Sequence, residues 1–182
     1  MNAKLLLERL AALIHQGVRD DASAHGLKAI HVQILGYLAR ANRYSDFSIA
    51  IAEYFGITRG TVSQSLALLE RRGMLQRQAD PRHGRRVHLE LTAAGRAVVE
   101  SGWAQQLECV LVKQGVDEAH LAKLLGVLLS GLQHHNQQRP FGICHDCAHF
   151  IRAVEGSRCG LTGEPLGAEQ TSRICREWET PE

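Results

Sequence analysis

No stretch of this sequence approaches the ~18 consecutive apolar residues of a membrane span, and Lys4, Glu8 and Arg9 break up the apolar opening segment before it resembles a secretory signal. The expected location is therefore the cytoplasm, with no membrane partner. A G-x-G-x-x-G loop, a nucleophile elbow and an H-E-x-x-H pair are all missing, so no catalytic residues are assigned and the chain is expected not to be an enzyme. The formal net charge is only +2, a total too small to name a partner. What remains is ordinary globular composition, 45% apolar and 22% charged over 182 residues, enough for one domain and a small appendage.

Charge is unevenly spread along the chain. Between Arg59 and Arg86 lie seven arginines (59, 71, 72, 77, 82, 85, 86) against Glu70 and Asp80, the footprint expected for phosphate contact. From Phe141 onward four arginines face seven acids, so this tail is not expected to be a second DNA-binding arm. It holds instead four of the five cysteines, Cys144, Cys147, Cys159 and Cys175, spaced C-x2-C-x11-C-x15-C. In a reducing compartment such a cluster serves metal binding or redox chemistry more often than structural disulfides. The fifth, Cys109, is read as a buried small hydrophobe on a helix.

Leu6, Leu10, Leu13 and Ile14 form one apolar stripe at helical spacing, and Ile30, Ile34, Leu35 and Leu38 form another. Ser45 or Asp46 is expected to cap a short third helix bearing Ile49, Ala52 and Phe55, which Gly56 stops in a left-handed conformation. Thr58 caps the next helix, where Val62, Leu66 and Leu69 recur at i, i+4 and i+7 and leave Arg59, Thr61, Ser63 and Gln64 toward solvent. Ala52-x3-Gly56-x5-Val62 is the spacing of a helix-turn-helix. Strands are expected at 74–78 and 87–91, joined by a wing at 79–87 that contains Asp80-Pro-Arg-His-Gly-Arg. A helix-turn-helix followed at once by an arginine-tipped hairpin is a winged helix.

Thr92 is expected to cap a long fifth helix with Val99, Trp103, Leu107 and Val110, and Asp117 a sixth with Leu121, Leu124, Leu125, Leu128 and Leu132. Val127 and Leu129 widen the last stripe beyond one intramolecular face, which points to a two-fold homodimer. The alternative is that these stripes pack on the winged helix. The fold class is thus mainly α: a winged helix-turn-helix with long dimerisation helices over 1–137, a linker at 138–140, and a small irregular four-cysteine module over 141–182. His134 and His135, just before the linker, are read as solvated.

The runs Leu69-Glu-Arg-Arg-Gly-Met-Leu, Asp80-Pro-Arg-His-Gly-Arg-Arg and Leu91-Thr-Ala-Ala-Gly-Arg96 resemble the MarR family of bacterial transcriptional regulators, over about residues 1–137. That resemblance implies a dimer that binds a palindromic operator on double-stranded DNA, usually as a repressor, with a small aromatic effector in the cleft between dimer helices and winged helix. It implies that Thr61, Ser63 and Gln64 face bases, Gln64 being suited to adenine, and that Arg82 and Arg85 enter the minor groove. Arg59 completes the DNA-binding set.

Residues 141–182 are too few to bury a core of their own and need a staple, which four thiolates can provide. Structural zinc usually takes cysteines as two close pairs. Here only Cys144 and Cys147 are paired, and Cys159 and Cys175 stand apart, as suits a [4Fe-4S] cluster approached from separate strands. Zinc, with His145 or His149 able to replace a cysteine, and free or disulfide-bonded thiols are the alternatives. The segments Phe141-Gly-Ile-Cys-His-Asp-Cys-Ala-His-Phe150, Arg158-Cys-Gly-Leu-Thr-Gly-Glu-Pro-Leu166 and Ile174-Cys-Arg-Glu-Trp178 are similar to high-potential iron-sulfur proteins and to the small cluster-bearing subunits of some glycyl-radical enzymes. That similarity implies Cys144, Cys147, Cys159 and Cys175 as the four iron ligands. The combined expectation is a regulator whose operator affinity follows the state of a [4Fe-4S] cluster, transmitted by altered packing against the last helix. The runner-up is a regulator with a structural zinc tail that answers to an aromatic ligand, and a third reading is an electron-transfer or DNA-processing protein.

Overall fold

The computed structural model describes residues 2–80, 84, 86–153 and 156–181. Its first helix, α1 (Ala3–Ala24), starts where the Asn2 side chain accepts the Leu5 N–H. Helix α2 (Ala29–Arg40) turns Ile34, Leu35 and Leu38 inward, as their spacing predicts. Helix α3 (Ser48–Phe55) stops at Gly56, whose φ of +62° is the left-handed conformation that favours glycine. Helix α4 (Arg59–Arg71) begins at Thr58, whose hydroxyl accepts the Thr61 N–H. Strands β1 (Leu75–Ala79) and β2 (Val87–Leu91) pair antiparallel with Leu75 opposite Leu91, so the hairpin begins one residue later than predicted.

Ile34, Leu35, Ile51, Val62, Leu66 and Leu69 are completely or almost completely buried together. This core fixes α4 against α2 and α3 and leaves its polar face outside, the arrangement of a winged helix-turn-helix.

Two expectations about helix ends are corrected. Neither Ser45 nor Asp46 caps α3; the N-cap is Phe47, with no side-chain bond. Both oxygens have tertiary partners instead: Ser45 Oγ donates to Asn42 Oδ1 and accepts the Arg176 N–H, and Asp46 Oδ1 lies 2.7 Å from His88 Nδ1. The long fifth helix is two helices, α5 (Ala93–Glu100) and α6 (Trp103–Lys113). Gly102 between them is extended, and the Asp21 carboxylate of α1 accepts the Trp103 N–H, so a residue far away in sequence supplies the start of α6.

Asp117 caps α7 (Glu118–His135) as predicted, by accepting the His120 N–H. Neither α6 nor α7 has a buried residue. Leu124, Leu125, Val127, Leu128, Leu129 and Leu132 are all exposed, as are Leu5, Leu6, Leu10 and Leu13 of α1. The α7 stripe therefore does not pack on the winged helix, whereas Val99 of the fifth-helix stripe does. Cys109 is also exposed rather than buried, because α6 meets only α1 to any extent.

The C-terminal segment is more regular than expected. Strand β3 (Gly142–Ile143) pairs antiparallel with β7 (Ile174–Cys175). Strands β4 (Phe150–Ala153), β5 (Gly156–Cys159) and β6 (Pro165–Leu166) make a three-stranded antiparallel sheet, and α8 (Ala168–Thr171) follows. This module docks on the 41–46 corner between α2 and α3, not on the last helix as anticipated. Phe141, Ile143 and Ile174 join the main core there. Among the described residues no helix is long and apolar enough to cross a membrane.

Candidate nucleic-acid interface and four-cysteine pocket

Arg59, Thr61, Ser63 and Gln64 are all exposed on α4, opposite the buried Val62, Leu66 and Leu69. Thr61 is partly committed, since its hydroxyl lies 2.9 Å from that of Thr58 at the cap. The basic stretch is smaller in effect than its arginine count. Arg72 donates to the His25 carbonyl at the end of α1, and Arg77 pairs with Glu70 at 3.0 Å. Arg86 lies over the Phe47 ring. Arg59 and Arg71 remain exposed on α4. Arg82 and Arg85, assigned to the wing, lie outside the described residues.

The wing is tied to the same corner that carries the module. Leu89 N–H donates to the Asp46 carbonyl at 2.9 Å, and His88 sits between the carboxylates of Asp46 and Asp80, at 2.7 and 3.4 Å. Burial pulls the His88 imidazole down, but the two carboxylates outweigh it and hold its pKa above the usual 6.5.

All four C-terminal cysteines, brought from three elements, line one small cavity with Tyr44, His149, Phe150 and Leu166. Cys144 opens the turn after β3, and Cys147 closes that turn by donating its N–H to the Cys144 carbonyl. The β4–β5 hairpin sets Cys159 opposite Phe150, and β7 supplies Cys175 beside Gly142. The thiols of Cys144 and Cys175 are buried, and all four are free of disulfides. The Trp178 ring packs against this cluster and on Gly142, where any Cβ would collide with it.

Burial, and then the charges of Cys175, Cys159 and Cys147, push the Cys144 thiol up to about 12. Thiols that raise one another in this way cannot all ionise unless a cation sits among them. Several N–H groups already point at sulfur. Glu179 N–H donates to Cys147 Sγ at 3.4 Å. Burial raises the Cys175 thiol, while the nearby Asn42 side chain and Glu177 backbone oppose that. Such donors steady a metal-bound thiolate. Among the described residues, however, no group of three or more His, Cys, Asp or Glu side chains converges in a way that could hold a metal ion. Of the two histidines flanking the first pair, His149 reaches the cavity, whereas His145 lies outside it, with Nδ1 2.9 Å from the Thr171 carbonyl.

Polar contacts join the module to the winged helix. Arg176 clasps Glu53 of α3 at 2.6 and 2.9 Å, and the pairing holds the Glu53 carboxyl below its usual range. Arg43 pairs with Glu164 at 2.8 Å, and the Tyr44 hydroxyl donates to the same carboxylate at 2.6 Å. Sequence reasoning missed Asn42, Ser45, Glu53 and Arg176, because no periodicity marks partners more than a hundred residues apart.

Two further depressions flank the fold. One, of about 210 Å³ between α1, α2, α5 and α6, is walled by Tyr54, Phe55, Val98 and Trp103. The other is an open groove of about 650 Å³ between α2, β2, α5 and α8, where Arg173 pairs with Glu169 and Asp46 with His88.

Residues 25–86 match the sequence profile of the MarR family. No curated protein matches the chain. Among solved structures, the S. aureus MepR–DNA complex is 25% identical with a TM-score of 0.58, spanning 72% of this chain and 97% of that one. S. aureus MepR in its DNA-binding conformation is 24% identical with a TM-score of 0.59, over 73% of this chain and 100% of its own. CouR from Rhodococcus jostii RHA1 bound to p-coumaroyl-CoA is 18% identical with a TM-score of 0.55, over 71% of this chain and 90% of its own.

Proposed function

With a MarR-family segment at residues 25–86 as the premise, we propose that this chain is a DNA-binding transcriptional regulator of the MarR type whose operator affinity answers to a group held by its four C-terminal cysteines. The recognition helix is α4, with Gln64, Ser63 and Thr61 toward the bases and Arg59 toward phosphate. The apolar faces of α1 and α7, uncovered in a single chain, are the surfaces of a two-fold dimer, which sets two recognition helices against a palindromic operator. MepR, solved on DNA, supports this use of the fold.

The observation that carries the second half is that Cys144, Cys147, Cys159 and Cys175 line one cavity despite coming from three separate elements, the turn after β3, β5 and β7. A single zinc ion needs donors that converge on one point, and no such group exists among the described residues. Thiols around a shared cavity suit a polynuclear group whose metal atoms lie apart, so a [4Fe-4S] cluster is preferred. When bound, such a group supplies a charge that changes with oxidation and a structure that is lost to oxidants. The protein contributes the four sulfurs, the N–H donors of Glu179, Glu177 and Asn42, and the walls of Tyr44, Phe150 and Leu166, which limit water.

The test is purification without oxygen. About four irons per chain and a broad brown absorption are expected, whereas colourless protein with one zinc sinks the cluster. A second reading rests on the aromatic cleft of about 210 Å³ at Tyr54, Phe55 and Trp103, where a small aromatic effector would act. Thermal shift with phenolic compounds decides it: stabilisation of the wild type but not of Trp103→Ala supports an effector there.

A further inference from the structure

Both chain neighbours of Cys175 are held by the winged helix as well as by the cysteine module, in which Ile174 pairs with Ile143. Ile174, 8% exposed, lies in the main core, and its carbonyl accepts the Asn42 N–H at 2.9 Å. The Arg176 N–H donates to Ser45 Oγ at 2.8 Å, and its guanidinium grips Glu53 of α3 through two bonds. Between these anchors the sulfur of Cys175 faces the four-cysteine cavity. Strand β7 ends at Cys175 and Arg176 begins a turn, so with both neighbours of Cys175 anchored, a shift of the sulfur must strain or move one anchor or the other.

Asn42 reads the same sulfur from the other side. It is 1% exposed. Its N–H is used on Ile174, and its Oδ1 accepts from Tyr44 N–H at 3.0 Å and Ser45 Oγ at 2.8 Å. Only Nδ2 has no satisfied partner, and the neighbouring group it acts on is the Cys175 thiol. A buried donor without an acceptor is costly, and a thiolate sulfur is the acceptor that this position offers.

Two more contacts bear on the same helix. The Phe141 ring meets Tyr54 edge-on at 5.2 Å, and the Gln138 side chain lies over Gly56 in the turn between α3 and α4. By contrast, α7 meets neither α3 nor the module to any extent.

We infer that the segment Ile174-Cys175-Arg176 couples the four-cysteine pocket to α3 of the same chain, with Asn42, Ser45 and Glu53 as the receiving residues. Operator affinity is then set inside each protomer, through the first helix of the helix-turn-helix, and not through the last helix. This coupling rests on the reading that Cys175 carries a metal-held thiolate. Either losing the metal group or changing its charge alters what Nδ2 of Asn42 and the backbone around Arg176 must accommodate, and α3 carries that change to α4.

The test uses the full-length protein, purified without oxygen, with Glu53→Gln and Arg176→Gln as variants. Three readouts are taken: iron per chain, amide exchange of residues 48–55, and operator Kd before and after stripping with ferricyanide and a chelator. Both variants are expected to keep the wild-type iron content. Stripping changes the wild-type operator Kd by about tenfold, and those of the variants by less than about twofold. The α3 amides lose protection on stripping in the wild type, and in the variants they are already unprotected before it. Variants that carry full iron yet respond to stripping like the wild type overturn the coupling. Wild-type protein without iron overturns the cluster reading alone. Exchange in Cys175→Ser then decides the coupling, upheld by lost protection in α3 but not in α7 and overturned by unchanged α3.

Discussion

In the winged helix, Ile34, Leu35, Ile51, Val62, Leu66 and Leu69 are buried against one another in an apolar core to which the module adds Phe141, Ile143 and Ile174. Among the described residues, the cysteine module has only Tyr44, Cys144, Leu166 and Cys175 as its own buried cluster, and one of those four belongs to the corner it sits on. It is held by Phe141, Ile143 and Ile174 and by long-range polar contacts: Arg176 to Glu53, Arg43 to Glu164, and Asn42 to Ile174. An apolar core tolerates changes of solution conditions and answers to none in particular. A cluster of thiols and paired charges answers to oxidants, metals and protons. On the proposed reading, the molecule joins a part built to be constant to a part built to respond.

The largest effect expected from breaking this contrast is in the core. Leu66→Ala should cost about 2–5 kcal/mol in chemical denaturation, whereas removing metal from the wild type should leave the winged-helix transition in place. If both act equally on that transition, the two regions are not separable in this way. Gln64→Ala leaves stability unchanged and should cost about 1–3 kcal/mol in operator binding; titrating operators altered one base at a time shows whether discrimination relaxes at a single position. Thr58→Ala removes the cap of α4 and should cost about 1 kcal/mol of stability, measurable by thermal melting.

The smallest and most conditional effect is at His88, where wing and corner meet. Its folded pKa is raised by Asp46 and Asp80. The stabilisation it provides is therefore fully present below the unfolded value of 6.5 and is lost as pH rises through the folded value. The stability gap between wild type and His88→Gln should narrow as pH rises across that window, and an imidazole that titrates below 6.5 by NMR would contradict the pairing.

Much of the reading face was legible in the sequence because it rests on local rules. Thr58, Thr92 and Asp117 cap the helices they precede, Gly56 makes its left-handed turn, and Val62, Leu66 and Leu69 point inward at helical spacing. The rules failed where a tertiary partner outbid a local one. Ser45 and Asp46 have good capping chemistry but are taken by Asn42, Arg176 and His88. The break at Gly102 depends on Asp21, eighty residues earlier, and lets α6 lean on α1. The gathering of the four sulfurs was expected from their spacing, but the seat of the module was not, since the pairing of Glu53 with Arg176 spans 123 residues. The exposure of Cys109 has the same origin: a helix stripe predicts an apolar face, and only the fold decides what covers it.

The chain has two tryptophans, and their placement has a practical consequence. Trp103 is packed against Gly17 in the aromatic cleft, and Trp178 lies on Gly142 beside the sulfurs, with its indole N–H donating to the Asp146 carbonyl at 3.0 Å. Each candidate signal therefore has its own intrinsic fluorophore. With Trp103→Phe and Trp178→Phe as single-emitter forms, quenching or a spectral shift reports which place a given signal reaches first, without any attached dye.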